Sequence, residues 1–388
     1  MATAVLDLDI DALPRSLEGV EGCDSALVLL RVQGRPAGQA VIPLGAAEIG
    51  GADLKLLLLE RADSSFWEAW LRARLGMAPS VRAGTQAQAT VAICTRDRTE
   101  DLARCLASLQ AMPDDGQEIL VIDNAPSSED TRELVQRFPG IRYVREDRPG
   151  LDVARNRALR EARGEIVAFT DDDASMDRLW LRTLLRNFED PLVMCATGLT
   201  MALELQTGAQ VSFQRYGGFV RGFHRMVFDA AVHDPMLGWQ AGAGVSMALR
   251  RAIVEHVGEF DEALDAGTPT QAGGDSDMFR RILKAGFRIV YDPEALNWHR
   301  HRRSDAELKR QLVGYEIAGF AVFSRTLLFE GDLGGAAHAA NWLGRELRDL
   351  VRAIMRRPGA PALDPVLSRF RGALMGPGLY LHSRRRAR

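Results

Sequence analysis

Between Thr90 and Asp173 short apolar runs alternate with stretches of helical spacing, and no other feature restricts the fold of this chain as much. Thr90 to Cys94 reads as a strand. Leu102, Cys105, Leu106 and Leu109 then recur at helical spacing behind Thr99, read as an N-cap, and the acidic first-turn residues Glu100 and Asp101. Further strands are expected at Ile119 to Ile122, Ile141 to Val144 and Ile166 to Phe169, with helices at Ser128 to Phe138 and Asp152 to Ala162. Four strands joined by three crossovers predict a parallel sheet with helices on both faces. Thr95-Arg96-Asp97-Arg98 follows the first strand in place of GxGxxG, and GxxxxGK[ST] does not occur. Both facts argue against a dinucleotide-binding dehydrogenase or a P-loop nucleotidase.

The fourth strand runs straight into Asp171, Asp172 and Asp173. Carboxylates this close raise one another's pKa unless a cation sits among them, and oxygen ligands favour a hard ion, Mg2+ or Mn2+. The carboxyl ends of strands are also where open α/β sheets bind ligands. An acidic turn with an Asp helix cap is the bland alternative.

Formal net charge is −3 and 46% of the 388 residues are apolar, so the whole chain advertises no polyanion partner and no nucleic acid. Cys23, Cys94, Cys105 and Cys195 form no CxxC pair and read as small core residues in a reducing compartment. No apolar run approaches the length of a bilayer span and no signal segment is evident, which predicts a cytoplasmic protein. Residues 1–86 read as an accessory β-containing domain. Its hairpin is expected at Ala26 to Val32 and Gln39 to Leu44, followed by helical Leu54 to Leu59 and Phe66 to Leu75 with Trp70, Leu71 and Leu75 as the apolar stripe. The linker is placed at Ala83 to Gln86. Residues 87–303 form the catalytic region and 304–388 a helical extension.

The segments VAICTRDR, ILVIDNAPS, RPGLDVARNRAL, EIVAFTDDDA, AGAGVSMALRR, GGDSDMFRRILKAGF and WHRHRRS stand in the order and spacing of inverting family 2 glycosyltransferases. The resemblance implies an α/β fold of the GT-A type, a Rossmann-like mixed sheet flanked by helices. It also implies transfer of a sugar from a nucleotide diphosphate donor to an acceptor hydroxyl. Asp123 would contact the base or ribose, beside Thr95 and Arg96. Asp171 and Asp173 match the family's DxD, with Asp173 on the metal, Asp171 on metal or ribose, and Asp172 structural. Arg155 and Asn156, in the first turn of a helix after Gly150, would meet donor phosphates. Gln240, Gly242 and Gly244 resemble the family's acceptor loop. Asp275 would be the general base, with Asp277 as the alternative. Gly274 stands where the family usually carries Glu. His299 would be the third metal ligand or a diphosphate contact, with His301 behind it, and Arg302 and Arg303 would face diphosphate or solvent.

A uridine diphosphate sugar is the default donor, with Mg2+ or Mn2+ as cofactor. From Ala339 onward eleven arginines stand against three acids, an excess of eight positive charges. Leu343, Leu347, Leu350, Val351, Ile354 and Met355 make one helical face there. Such a helix either packs on the catalytic domain or lies on an anionic membrane beside a lipid-linked saccharide or envelope precursor. Two rival functions remain at this point: a nucleotidyltransferase of similar topology, and a nucleotide-sugar binding protein of weak catalysis, suggested by the missing Glu.

Overall fold

The computed structural model describes residues 2–44, 51–77, 87–357, 359, 361 and 363–387. The expected linker, Ala83 to Gln86, and the terminal Arg388 lie outside the described residues.

The N-terminal part is a three-stranded sheet of β1 (Thr3–Asp9), β2 (Ser25–Val32) and β3 (Arg35–Pro43), with β1 parallel and β3 antiparallel to β2. Gln33 and Gly34 take left-handed φ angles of 51° and 78°, the two-residue turn whose twist suits a hairpin. Helices α1 (Gly51–Arg61) and α2 (Ser64–Arg74) cover one face through Leu54, Leu58 and Phe66. The stripe expected on α2 is corrected here. Leu71 and Leu75 are exposed because the helix docks by its first turn, where Asp63 accepts from Phe66 N at 3.0 Å and Phe66 is buried. Leu27 and Leu29, on the other face of β2, join the core of the large sheet.

That sheet contains β4 (Ala89–Thr95), β5 (Glu118–Asn124), β6 (Ile141–Glu146), β7 (Ile166–Asp171), β8 (Ala174–Met176), β9 (Val193–Ala202), β10 (Met226–Phe228), β11 (Met247–Arg250) and β12 (Arg288–His299). Its order is β10-β12-β9-β11-β7-β4-β5-β6, with β8 pairing β12. The four strands read from the sequence make the parallel half. In the other half β11 runs antiparallel to both β7 and β9, so the sheet is mixed. Helices α3 (Thr99–Gln110), α4 (Asp130–Val135), α5 (Leu151–Glu161), α6 (Trp180–Leu185), α7 (Gly208–Arg215), α8 (Ile253–Val257) and α9 (Gly274–Lys284) flank it. Two expectations shift. The cap of α3 is Arg98 rather than Thr99, and α4 is shorter than expected because its C-terminal end closes in turns before Pro139.

Three long helices complete the chain: α10 (Asp305–Glu330), α11 (Leu333–Ile354) and α12 (Leu363–Arg386). Among the described residues α10 alone is long and apolar enough to cross a membrane, which corrects the expectation that no segment approaches that length. Half of its apolar window is buried, against α12, α11 and the loop before α9, where Gly273 faces Ala318. The expected apolar face of α11 also divides: Leu343 and Leu350 are half-buried, while Leu347, Val351, Ile354 and Met355 are exposed.

Candidate functional site

Strand register assembles the site. Thr95, Asp123 and Asp171 lie at neighbouring carboxyl ends, since β4 pairs Thr95 with Asp123 on one side and Cys94 with Asp171 on the other. The antiparallel pairing of β8 with β12 sets His299 opposite Ala174, the residue after Asp173. His299 Nε2 consequently lies 3.1 Å from Asp173 Oδ1. One ligand atom each from Asp171, Asp173 and His299 falls within 4.8 Å of the others. Apart from that contact with His299, Asp173 Oδ1 has no hydrogen-bond partner among the described residues, and neither does His299 Nδ1, although both are buried.

The charge state of this corner follows from its neighbours. Burial raises the Asp171 carboxyl and Asp173 raises it further. Burial would raise Asp173 too, but His299 and Arg98 outweigh it and hold the carboxyl well below the usual range. His299 is disfavoured as a cation by burial, yet Asp173 and Asp171 raise its pKa. Two carboxylates and an imidazole converging on one point suit a Mg2+ or Mn2+ ion, which would replace the His299 proton and relieve the repulsion between the acids.

Asp172 is turned away from the trio. It accepts from Thr95 Oγ1 at 2.7 Å and Arg98 Nη1 at 2.6 Å, and burial pushes its pKa up to about 7. Arg98 also donates to Asp173 Oδ2 at 2.8 Å, so one guanidinium clamps the two carboxylates. Sequence reading missed Arg98; its only signal was a place in the loop after β4. Thr95 is buried with its hydroxyl on Asp172, while Arg96 is exposed and 3.9 Å from Asp97. Asp123 is fully buried, accepts from Tyr143 Oη at 2.8 Å, and its Oδ1 has no hydrogen-bond partner among the described residues. Burial raises its pKa against that hydrogen bond. Tyr143 had no sequence signal, because only the β5–β6 register brings it to Asp123.

Arg155 and Asn156, expected at the donor phosphates, are buried and bonded within the protein. The amide of Asn156 bonds the backbone of Phe260 at both ends, at 2.8 and 3.0 Å, and Gly150 and Leu151 N–H groups donate to Asn124 and Ala266. Arg155 is buried between Asp152 Oδ1 at 2.9 Å and Asp265 Oδ2 at 2.7 Å. This cluster underlies the start of α9. Gly274 N donates to Asp265 Oδ2 at 3.2 Å, and a Cβ on Gly274 would lie 2.0 Å from Asp152 Oδ2. The glycine found in place of the family's Glu is therefore filled, from another helix, by the carboxylate of Asp152.

Asp275 is half-buried at the start of α9, with Gly273 before it at a φ of 107°. Its Oδ2 accepts from Gly244 N at 2.8 Å and its Oδ1 from Ser276 N at 2.6 Å. Gly242, at a φ of 149°, lies against Thr197, where a Cβ would approach to 2.5 Å. Gln240 is exposed at the same turn. Asp277, the alternative base, is tied up in ion pairs. It is fully buried, and Arg281, Arg325 and Arg280 together hold its carboxyl below the usual range against the opposing effect of burial.

His301 lies outside the trio. It is packed by Phe213 and Phe219, meets Gln214 Oε1 at 3.2 Å, and is pushed down to about 3 by burial and by His299. Arg303 pairs with Glu204 at 2.8 Å, and Arg302 is exposed.

Residues 90–258 match the family model described as Glycosyl transferase family 2. The chain is 28% identical over 239 residues to a pre-mycofactocin glycosyltransferase of Mycobacterium tuberculosis, covering 60% of this chain and 47% of that protein. It is 24% identical over 230 residues to glycosyltransferase AglE of Haloferax volcanii, covering 57% of this chain and 70% of the relative. The chain thus spans about half the length of the first of these relatives. Among solved structures it is similar to a mannosyltransferase from Pyrobaculum calidifontis in complex with GDP-Man and Mn2+, at 18% identity and a TM-score of 0.48, over 80% of this chain and 93% of that one.

Proposed function

We infer, from the premise that this chain is a member of glycosyl transferase family 2 through residues 90–258, that it moves a sugar from a nucleotide diphosphate donor to an acceptor hydroxyl with inversion. The observation that carries this reading is the presence of two separate acidic centres, one at the strand ends and one at the start of α9. One is the Asp171, Asp173 and His299 trio; the other is Asp275, held by Gly244 N at 2.8 Å. Asp171, Asp173 and His299 would hold a divalent cation, which supplies positive charge for the departing diphosphate. Asp123 and Tyr143 line the end of β5, where the base or ribose would rest. Asp275 takes the proton of the acceptor hydroxyl at Oδ1 or Oδ2, and the Gly244 amide fixes the carboxylate toward the acceptor. The oxygen then attacks the anomeric carbon from the face opposite the diphosphate. A uridine diphosphate sugar is the first donor to test.

The acceptor would be presented at an anionic membrane on the cytoplasmic side. The support is the exposed line of Leu347, Val351, Ile354 and Met355 on α11, beside exposed Arg345, Arg348, Arg352, Arg356 and Arg357. An apolar stripe bordered by arginines fits the boundary of an acidic bilayer. A lipid-linked saccharide is the class of acceptor that such a surface presents.

The test is product analysis with a panel of nucleotide sugars and Mg2+ or Mn2+. Release of free nucleoside diphosphate, abolished by chelation and by Asp275→Asn, is expected. Release of pyrophosphate would identify a nucleotidyltransferase instead, and turnover unchanged in Asp275→Asn would remove the base.

A further inference from the structure

Arginines around the site are almost all matched to acids: Arg98 to Asp172 and Asp173, Arg155 to Asp152 and Asp265, Arg300 to Asp101, Arg303 to Glu204. Arg221 is not. Among the described residues no carboxylate lies within 4.0 Å of it, and its Nε is enclosed without a hydrogen-bond partner. It stands between α7 and β10, in a loop fixed at two points. Tyr291 Oη donates to Gly222 O at 2.7 Å, and the Phe219 ring meets His299 edge-on at 5.1 Å. Its guanidinium carbon lies 6.0 Å from the centre of the Trp239 ring, in the turn leading to Gly242 and Gly244. Arg221 therefore shares a loop with Phe219, which touches His299, and lies near Trp239 in the turn that leads to Gly244. Arg302, exposed and likewise without an acid within 4.0 Å, acts electrostatically on His299 and on Tyr315, which also feels Arg221 and Asp275.

A guanidinium cannot shed its charge, so the partial burial of Arg221 without a counter-ion is a standing cost that an anionic ligand offsets. Burial lowers the pKa of Arg221, and the distant tyrosines and Asp275 only partly oppose this. Trp239 stands at the limit of a cation–π contact with Arg221, and a guanidinium can offer an oxyanion two parallel bonds. We propose that Arg221, beside Trp239 in the loop that touches His299, binds a phosphate or carboxylate group carried by the acceptor. This rests on the transferase reading and narrows it to anionic acceptors.

Inorganic phosphate is the probe, titrated into the full chain alone and into the chain saturated with uridine diphosphate and Mg2+, with thermal shift and calorimetry as readouts. Phosphate should bind in both states. Arg221→Met should weaken it about tenfold or more while leaving the diphosphate response intact. Ligand-free Arg221→Met should melt at or above the parent temperature, since it removes an uncompensated charge, and Arg221→Lys should recover only part of the phosphate affinity. Unchanged phosphate binding in Arg221→Met overturns the proposal. So does parallel loss of the diphosphate response, which would assign Arg221 to the donor. Phosphate binding through Arg221 in a chain that responds to no nucleoside diphosphate would keep the anion site and refute the transferase reading.

Discussion

Replacing Gly274 with alanine adds a methyl group at a point already occupied by a buried carboxylate. The new Cβ would lie 2.0 Å from Asp152 Oδ2 and 2.4 Å from Oδ1. Asp152 has no room to retreat: it is fully buried and bonded to Arg155 at 2.9 Å. Overpacking of this kind costs about 1 to 3 kcal/mol. Pushing the carboxylate off Arg155 adds about 1.5 to 3 kcal/mol for a bond to a charged group. A total near 4 kcal/mol is expected for Gly274→Ala, together with a loss of turnover, because Asp275 follows directly and its contact with Gly244 N is only as good as the start of α9. In an Asp152→Ala background the obstacle is gone and Arg155 keeps Asp265 at 2.7 Å. There the same substitution should be neutral or gain up to about 1 kcal/mol from helix propensity. Urea unfolding of the parent, both single variants and the double variant gives the coupling, expected at about 3 kcal/mol or more. If the single effects add within about 0.5 kcal/mol, Asp152 and Gly274 are not competing for the same space and the account of this corner fails.

Asp173→Ala should lower kcat by about two to three orders of magnitude and remove divalent-cation dependence, as read by activity against free Mn2+; a variant that binds the metal as the parent does would reduce the cluster to an acidic turn. Glu316, beneath α11 and α12, is raised from 4.5 to about 7 by burial and by Glu346. Below pH 4.5 the folded and unfolded chains both hold this proton, and between 4.5 and 7 only the unfolded chain releases it, so stability should fall by about 3 kcal/mol across that window. Glu316→Gln should flatten that fall and melt above the parent at pH 8; an equal difference between the two proteins at pH 5 and pH 8 would contradict it. Co-sedimentation with acidic vesicles should weaken with salt and with Leu347→Glu combined with Val351→Glu, each nearby arginine contributing about 1 kcal/mol. Equal binding by parent and variant, or none at low salt, would leave a packed helix and a soluble acceptor.

The parallel half of the sheet and the acidic end of β7 were legible in the sequence because they depend on local periodicity, and local periodicity survives folding. Apolar runs at strand spacing mark β4, β5, β6 and β7, and three aspartates after such a run emerge at the carboxyl end of the strand. The Gly273-Gly274-Asp275 junction was legible for the same reason, since a left-handed glycine before a helical stripe is a local signal. Partnership between distant segments was not. Nothing near Arg155 in the sequence says that Asp265 and Asp152 will neutralise it, and its helical position suggested the opposite use. His299 meets Asp173 only because β8 pairs antiparallel with β12, a register set by long-range packing. The apolar residues of α11 likewise have one spacing but two fates, because which of them is buried depends on where α10 and α12 lie. Charges and side-chain types are written in the chain; the neighbour that pairs or buries each one is chosen by tertiary packing, and that choice separates the clamps Arg98 and Arg155 from Arg221, which has no acid beside it among the described residues.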